Sequence, residues 1–442
     1  MVLLILITAC GREEAPLPGV SSYLEGKITV RADTDSLPDY RGFEVLVALQ
    51  TDGEPDTLGY AVTDSAGLFQ MDIRAEADGV YPMIVSRAGT ILAVDELVVA
   101  EGDSGAVTLR FPNGNRPFVI RSRQNGAWMA YKNTKAQYNQ SLMQQLRSGT
   151  YDEAAIRQYV VQASSILWSL RDTYPNTVGA ELAAAEAVVM LDGWDDALLL
   201  ERADALEAGN KSIVEVGRAA RRAKARLAGQ AEAVALVRRF QERVGNPEQK
   251  AALASEIVVA YLDSLQTEEA LAAAREIKAN WQDGEWATWA DRALYELENL
   301  LPGMKAPGFA ATTLQGQAVG LEGLQGQVVI LEFYAPENPI FQRELAERNA
   351  LFRTYVDAPF SVLSVSLQPD TLMTEAFLEG RDVAGQHIIA RGGMKGDLAQ
   401  LYNINVLPTR YLIDRNGRIL GKYVGSALDA LQVDLQEQFG GL

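Results

Sequence analysis

The chain holds a single cysteine and a single histidine in 442 residues. With Cys10 alone there is no intramolecular disulfide, no pair of thiols two residues apart and no Cys/His zinc set. With His387 alone, any Ser-His or Cys-His nucleophilic pair would have to be built around that one ring. In the context GQHIIARGG it reads as a structural residue at a strand start. Basic charge is also scarce: 40 Lys and Arg stand against 58 Asp and Glu, a formal net charge of −18. No segment carries a basic stripe, so nucleic-acid binding has no electrostatic footprint. The acid is concentrated early, residues 1–112 carrying 18 acidic against 7 basic side chains, and it reads as a solvated face that resists association. No cofactor or metal is expected.

The first residues, MVLLILITAC, place an apolar run from Val2 to Ala9. Eight residues are too few to span a bilayer and suit the apolar region of a signal peptide over residues 1–9. The stretch Leu6-Ile7-Thr8-Ala9-Cys10 resembles the bacterial lipobox, although no Lys or Arg precedes the run. That resemblance implies lipidation of Cys10 and removal of the peptide before it. Acyl chains buried at about 0.8 kcal/mol per CH2 would make a membrane the first expected partner. Gly11, following the cysteine, resembles lipoproteins sent on to the outer membrane. A lipidated tether is expected over residues 10–23.

Residues 24–112 alternate apolar and polar in short runs such as GKITVRA, FEVLVALQ and YPMIVSR, separated by Asp, Gly and Pro turns. That spacing predicts an antiparallel β-sandwich. The turn Thr63-Asp64-Ser65-Ala66-Gly67-Leu68-Phe69 resembles carboxypeptidase-regulatory-like β-domains, where it is structural. Residues 120–301 change character. Apolar residues recur every three and four, which predicts an all-α region of about eight helices broken near Gly149, Pro175, Gly193, Gly209, Gly229, Pro247, Gln266 and Gly284. The segment from Ala260 to Ile277 resembles a tetratricopeptide repeat, without a sustained 34-residue period, so a helical-hairpin array is expected. All six tryptophans lie in this region; Trp281, Trp286 and Trp289 gather around one turn and form a candidate partner surface.

Residues 303–442 show βα alternation with apolar strands and end in a hairpin signal at Arg415-Asn416-Gly417. Five segments in order carry a resemblance to the thioredoxin-like redoxins of bacterial envelopes, of TlpA, ResA and AhpC/TSA type. These are Lys305 to Phe309, Leu324 to Ala335, Phe360 to Leu367, Tyr402 to Thr409 and Tyr411 to Ile419. The resemblance implies an α/β thioredoxin-like fold and a Cys-x-x-Cys pair on the first helical turn after Ala335. Such a pair works because two thiols three residues apart can close a disulfide while the helix end holds one as thiolate. Here Asn338 stands at the first cysteine position, Phe341 at the second and Glu337 at the preceding tryptophan. Neither an amide nor a phenyl ring exchanges electrons with a disulfide. Asn is nonetheless a preferred N-cap and Pro339 suits the first helical position, so the turn should still start a helix.

The resemblance also implies a cis bond before Pro408 and a docking edge for an extended peptide beside it. Tyr334, Glu337, Asn338, Phe341, Leu407, Pro408 and Thr409 are therefore expected to outline a groove with an apolar floor. The leading expectation is an envelope lipoprotein whose redox-inactive redoxin domain binds a protein partner or acts as a scaffold. Two alternatives stay open: a thiol-disulfide or peroxiredoxin-type oxidoreductase, and a structural component of a cell-surface assembly.

Overall fold

The structure is a computed structural model and describes residues 19–31, 39–49, 56–114, 116–147 and 152–440. The lipobox and Cys10 lie outside the described residues. Two compact units divide between Glu256 and Ile257. None of the described helices is long and apolar enough to cross a membrane.

The first unit opens with eight strands: β1 Val20–Val30, β2 Phe43–Leu49, β3 Asp56–Val62, β4 Leu68–Ala75, β5 Gly79–Arg87, β6 Thr90–Val99, β7 Asp103–Phe111 and β8 Ile120–Arg121. They form two four-stranded sheets, ordered β4-β1-β7-β8 and β3-β2-β5-β6. The alternation read from the sequence is the alternation of burial. In β4, Phe69, Met71, Ile73 and Ala75 point inward and the residues between them outward. One core joins both sheets through Leu24, Ile28, Phe43, Val45, Met83 and Val107. Two details differ from expectation. Strand β1 begins at Val20, inside the expected tether, because Ser22 caps the backbone of Ala100 (2.8 Å) and Leu24 reaches the core. And β1 runs parallel to β7, the one parallel pair among the described residues of an otherwise antiparallel sandwich. The turn at Asp64 is held by its carboxylate, which accepts from Ala66 N and Leu68 N at 2.8 Å each. Gly67 is required there: its φ is +79°, and a Cβ would sit 2.1 Å from the Ile28 carbonyl oxygen.

Nine helices follow among the described residues, one more than the eight or so expected: α1 Arg123–Arg147, α2 Glu153–Thr173, α3 Val178–Val189, α4 Asp196–Asp204, α5 Ile213–Ala228, α6 Gln230–Arg243, α7 Pro247–Asp263, α8 Thr267–Asn280 and α9 Gly284–Asn299; the breaks from Pro175 onward fall where the sequence placed them, and the one near Gly149 lies outside the described residues. Side-chain caps start five of them: Ser122 accepts from Asn125 N, Asp152 from Ala155 N, Thr177 from Ala180 N, Asp195 from Leu198 N, and Asn246 from Glu248 N and Gln249 N. Sequential pairs pack on one another, α2 on α3, α5 on α6 and α8 on α9. Helices α8 and α9 fall in the second unit, not the first.

The second unit continues with β9 Ala311–Thr312, β10 Ala318–Val319, β11 Val328–Tyr334, α10 Pro339–Thr354, β12 Phe360–Ser366, α11 Thr371–Leu378, β13 Gln386–Ile389, α12 Asp397–Leu401, β14 Thr409–Ile413, β15 Ile419–Val424 and α13 Leu428–Phe439. Its five-stranded sheet has the order β13-β12-β11-β14-β15. Strands β11, β12 and β13 are parallel, and β14 and β15 are antiparallel to their neighbours. The central strand β11 is buried at all seven positions, which is why VVILEFY reads as a continuous run and not an alternating one. Its two faces feed two cores, one holding Val329, Leu331 and Phe333, the other Val328 and Ile330. This is an α/β thioredoxin-like domain.

Candidate functional site

Strand β11 delivers the chain into the turn Ala335 to Asn338, and α10 starts from Asn338. The Asn338 side chain fills both of its hydrogen-bonding faces. Its Oδ1 accepts from Ile340 N and Phe341 N, each at 3.0 Å, which caps the helix. Its Nδ2 donates to the Leu407 carbonyl at 3.0 Å, tying the helix start to the loop before β14. Leu407–Pro408 is a cis peptide bond. The Pro408 carbonyl accepts from Gly425 N (2.8 Å), and Thr409 Oγ1 donates to Val406 O (2.7 Å). One amide thus does in this turn what no thiol could: it satisfies two orphan helix donors and bridges to the neighbouring loop.

Two residues expected on a groove floor are not on a surface. Phe341 and Tyr334 are both fully buried, stacked on each other with ring centroids 4.4 Å apart. Phe341 points back into the core because a large ring three residues into the helix lies on the face that covers the sheet. Thr409 is buried in β14 and Pro408 beneath the loop, leaving Glu337, Asn338 and Leu407 at least partly accessible. Glu337 is exposed and accepts from Gln368 Nε2 at 2.6 Å. The Leu407 carbonyl already accepts from Asn338 Nδ2, which takes one of its two lone pairs. The expected apolar floor is therefore absent, because its two rings lie inside the core. Around it, four large apolar side chains stay in solvent: Leu372 and Met373 at the start of α11, Met394, and Val406. The Glu337–Gln368 contact joins the turn to the segment leading into α11, and Gly393 packs against Leu367 and Pro369 of that same segment.

Behind the turn lies a feature that the sequence reading missed. Glu332 of β11, Arg348 of α10 and Arg410 of β14 are all completely buried. Arg348 Nε and Nη2 donate to the Glu332 carboxylate at 2.9 and 2.5 Å, and Arg410 Nε donates to it at 2.8 Å. Ser364 Oγ adds a bond at 3.0 Å. Arg410 Nη2 continues to Glu344 (3.0 Å), which also accepts from Ser426 Oγ (2.9 Å). Two guanidiniums and two carboxylates balance. Burial pushes the Glu332 carboxyl up, but the charges of Arg348 and Arg410 and their hydrogen bonds outweigh it and hold the group at about 2. A carboxylate fixed in this way stays ionised and does not shuttle protons at neutral pH. The signal was present in the sequence: a Glu inside VVILEFY and an Arg opening RYLI are charges in strands that are otherwise apolar.

His387 sits in the same cross-strand row, opposite Ser364, which is in turn opposite Glu332. Its Nε2 lies 3.1 Å from the Val383 carbonyl, which can only accept, so Nε2 carries the proton. Nδ1 then accepts from the Tyr334 hydroxyl at 3.2 Å. Burial lowers the His387 pKa below its ordinary value, and burial together with the Glu332 charge raises that of Tyr334. The histidine is a sealed structural group. Among the described residues no cluster of three or more His, Cys, Asp or Glu side chains could hold a metal ion.

The tryptophans are placed elsewhere in this unit. Trp281 follows α8, whereas Trp286 and Trp289 share α9 with ring centroids 6.1 Å apart. All three are half-buried.

Similarity to known proteins falls on this last domain. Residues 302–422 match the AhpC/TSA family. The thiol-disulfide oxidoreductase ResA of Bacillus cereus is 25% identical over 128 residues, covering 29% of this chain and 72% of that protein. ResA of Geobacillus kaustophilus is 30% identical over 117 residues, covering 26% of this chain and 66% of that protein. Among solved structures, a thiol-disulfide oxidoreductase from Bacteroides fragilis NCTC 9343 has 24% identity, with a TM-score of 0.27 over 30% of this chain and 98% of that one.

Proposed function

We propose that this chain, whose C-terminal domain belongs to the thioredoxin-like redoxins, is a lipid-anchored protein of the bacterial envelope in which that domain binds a protein partner without redox turnover. The observation that carries this reading is Asn338. A carboxamide takes the place of a thiol and bonds at once to the helix start and to the Leu407 carbonyl, so the turn is complete without sulfur. The chain's lone cysteine, Cys10, belongs to the lipobox-like stretch and is used up by lipidation. Partner recognition is assigned to the exposed side chains of Leu372, Met373, Met394 and Val406, and methionine and leucine suit an adaptable apolar contact.

The oxidoreductase alternative draws on the names of the ResA relatives. An insulin-reduction assay separates the two readings: the chain with Cys10→Ser should give no turnover above buffer, and catalytic reduction would reject the binding role as the whole account. For the partner surface, capture from envelope extracts should lose a specific protein when Val406→Asp or Leu372→Asp is introduced. Unchanged capture by both variants would remove this face from the proposal. Metabolic labelling with a fatty acid, lost in the Cys10→Ser chain, tests the anchor.

A further inference from the structure

A cavity of about 480 Å³ lies against α9 within the second unit, floored by Val258, Leu262, Ala293 and Leu297 and walled by Trp289. Its walls are fixed. Asn403 Nδ2 donates to the Arg292 carbonyl (3.2 Å) and to Glu296 (2.7 Å), Lys422 Nζ bonds Glu296 at 2.6 Å, and the Tyr295 hydroxyl donates to Leu401 O at 3.0 Å. Three ionic side chains line it. Glu296 is neutralised by Lys422. Among the described residues, Glu285 and Arg292 have no side-chain hydrogen bond or ion pair. They stand seven residues apart on one face of α9, two helical turns or roughly 10 Å along the axis. Along α9 the lining therefore runs from the Glu285 carboxylate past Trp289 to the Arg292 guanidinium, with Ala293 and Leu297 beyond it.

We propose that this cavity binds a short apolar peptide of about three residues with both termini free. Its carboxylate meets Arg292, its ammonium meets Glu285, and its side chains lie over Trp289. Three extended residues span at most about 10–11 Å, close to the axial spacing of the two positions on α9. The volume falls within the roughly 300–1,000 Å³ of small-ligand sites. Guanidinium and carboxylate also match in geometry, since the planar fork receives two oxygens. Glu285 lies in the first turn of α9. This site is separate from the turn at Asn338 and does not rest on the function proposed above.

The test is isothermal titration of the full chain with leucyl-alanyl-leucine and with its N-acetylated and C-amidated forms. The free tripeptide should bind saturably at one site, and each blocked form should bind about threefold to fivefold more weakly. In Arg292→Gln the free and amidated peptides should bind alike, and in Glu285→Gln the free and acetylated peptides. Both positions are exposed, so neither change threatens folding. Absence of saturable heat with millimolar free tripeptide on the unmodified chain overturns the proposal. So does equal binding of the blocked forms, or weakening by only one of the two blocks; these measurements need no variant.

Discussion

Replacing Glu332 by Gln keeps the shape of the side chain and removes one buried negative charge. What remains behind the turn is Arg348 and Arg410 against Glu344 alone, an uncompensated positive charge in a fully buried layer. Breaking a buried ionic cluster by deleting one member costs about 3–5 kcal/mol. The proton linkage gives an independent figure. The Glu332 carboxyl is held at about 2 against an ordinary value of 4.5, which corresponds to about 3 kcal/mol of stability at neutral pH. Because the folded value is the lower one, that contribution is complete above pH 4.5 and is lost as pH falls through about 2. The two routes agree, so Glu332→Gln should lower the opening free energy of the sheet by about 3 kcal/mol, or about 100-fold in amide exchange. Hydrogen exchange followed by mass spectrometry over Val328–Tyr334 measures it without assuming that two units unfold together. The variant should also lose the acid-dependent slope between pH 4.5 and about 2. Adding Arg410→Gln restores neutrality and should recover at least about 1 kcal/mol. A change below about tenfold in exchange, or strictly additive losses in the double variant, would refute the account of this layer as one coupled cluster.

Three other outcomes are expected. Asn338→Ala removes the cap and the bridge to Leu407 together and should destabilise the start of α10 by about 1–2 kcal/mol, read as faster exchange of the Phe341 and Gln342 amides; Asn338→Asp keeps the cap and should be milder at the helix while loosening the loop before Pro408. Restoring the expected dithiol with Asn338→Cys and Phe341→Cys should give a poorly stable protein and not a working redoxin, since removing the Phe341 ring from its stack on Tyr334 costs about 3 kcal/mol or more; thermal melts check this. Burial depresses the His387 pKa, so protonation favours the unfolded chain and stability should decline as pH drops below about 6.5; His387→Gln should flatten that part of a denaturation-versus-pH profile.

The strand pattern of the sandwich, the helix breaks and the order of the redoxin segments were readable because each is written locally. Period two, period three to four, and Gly, Pro or Asn at a break act within a few residues and do not depend on distant partners. The absence of a dithiol was equally local, since it needs only a count of sulfur. Direction was not. Phe341 could have lined a groove or filled the core, and the sequence spacing allows both; its burial is set by the sheet beneath α10. The same holds for Leu407, whose carbonyl is occupied only because the loop brings it within reach of an amide 69 residues earlier. Glu332, Arg348 and Arg410 are distant from one another in the chain, separated by 16 and 62 positions. Their neutrality is a property of the folded sheet and its covering helix. Chemistry that resides in single residue types was fixed by the sequence, whereas pairing of charges and the facing of side chains waited for strands distant in the chain to become neighbours, because Coulomb and packing terms act only across a few ångströms.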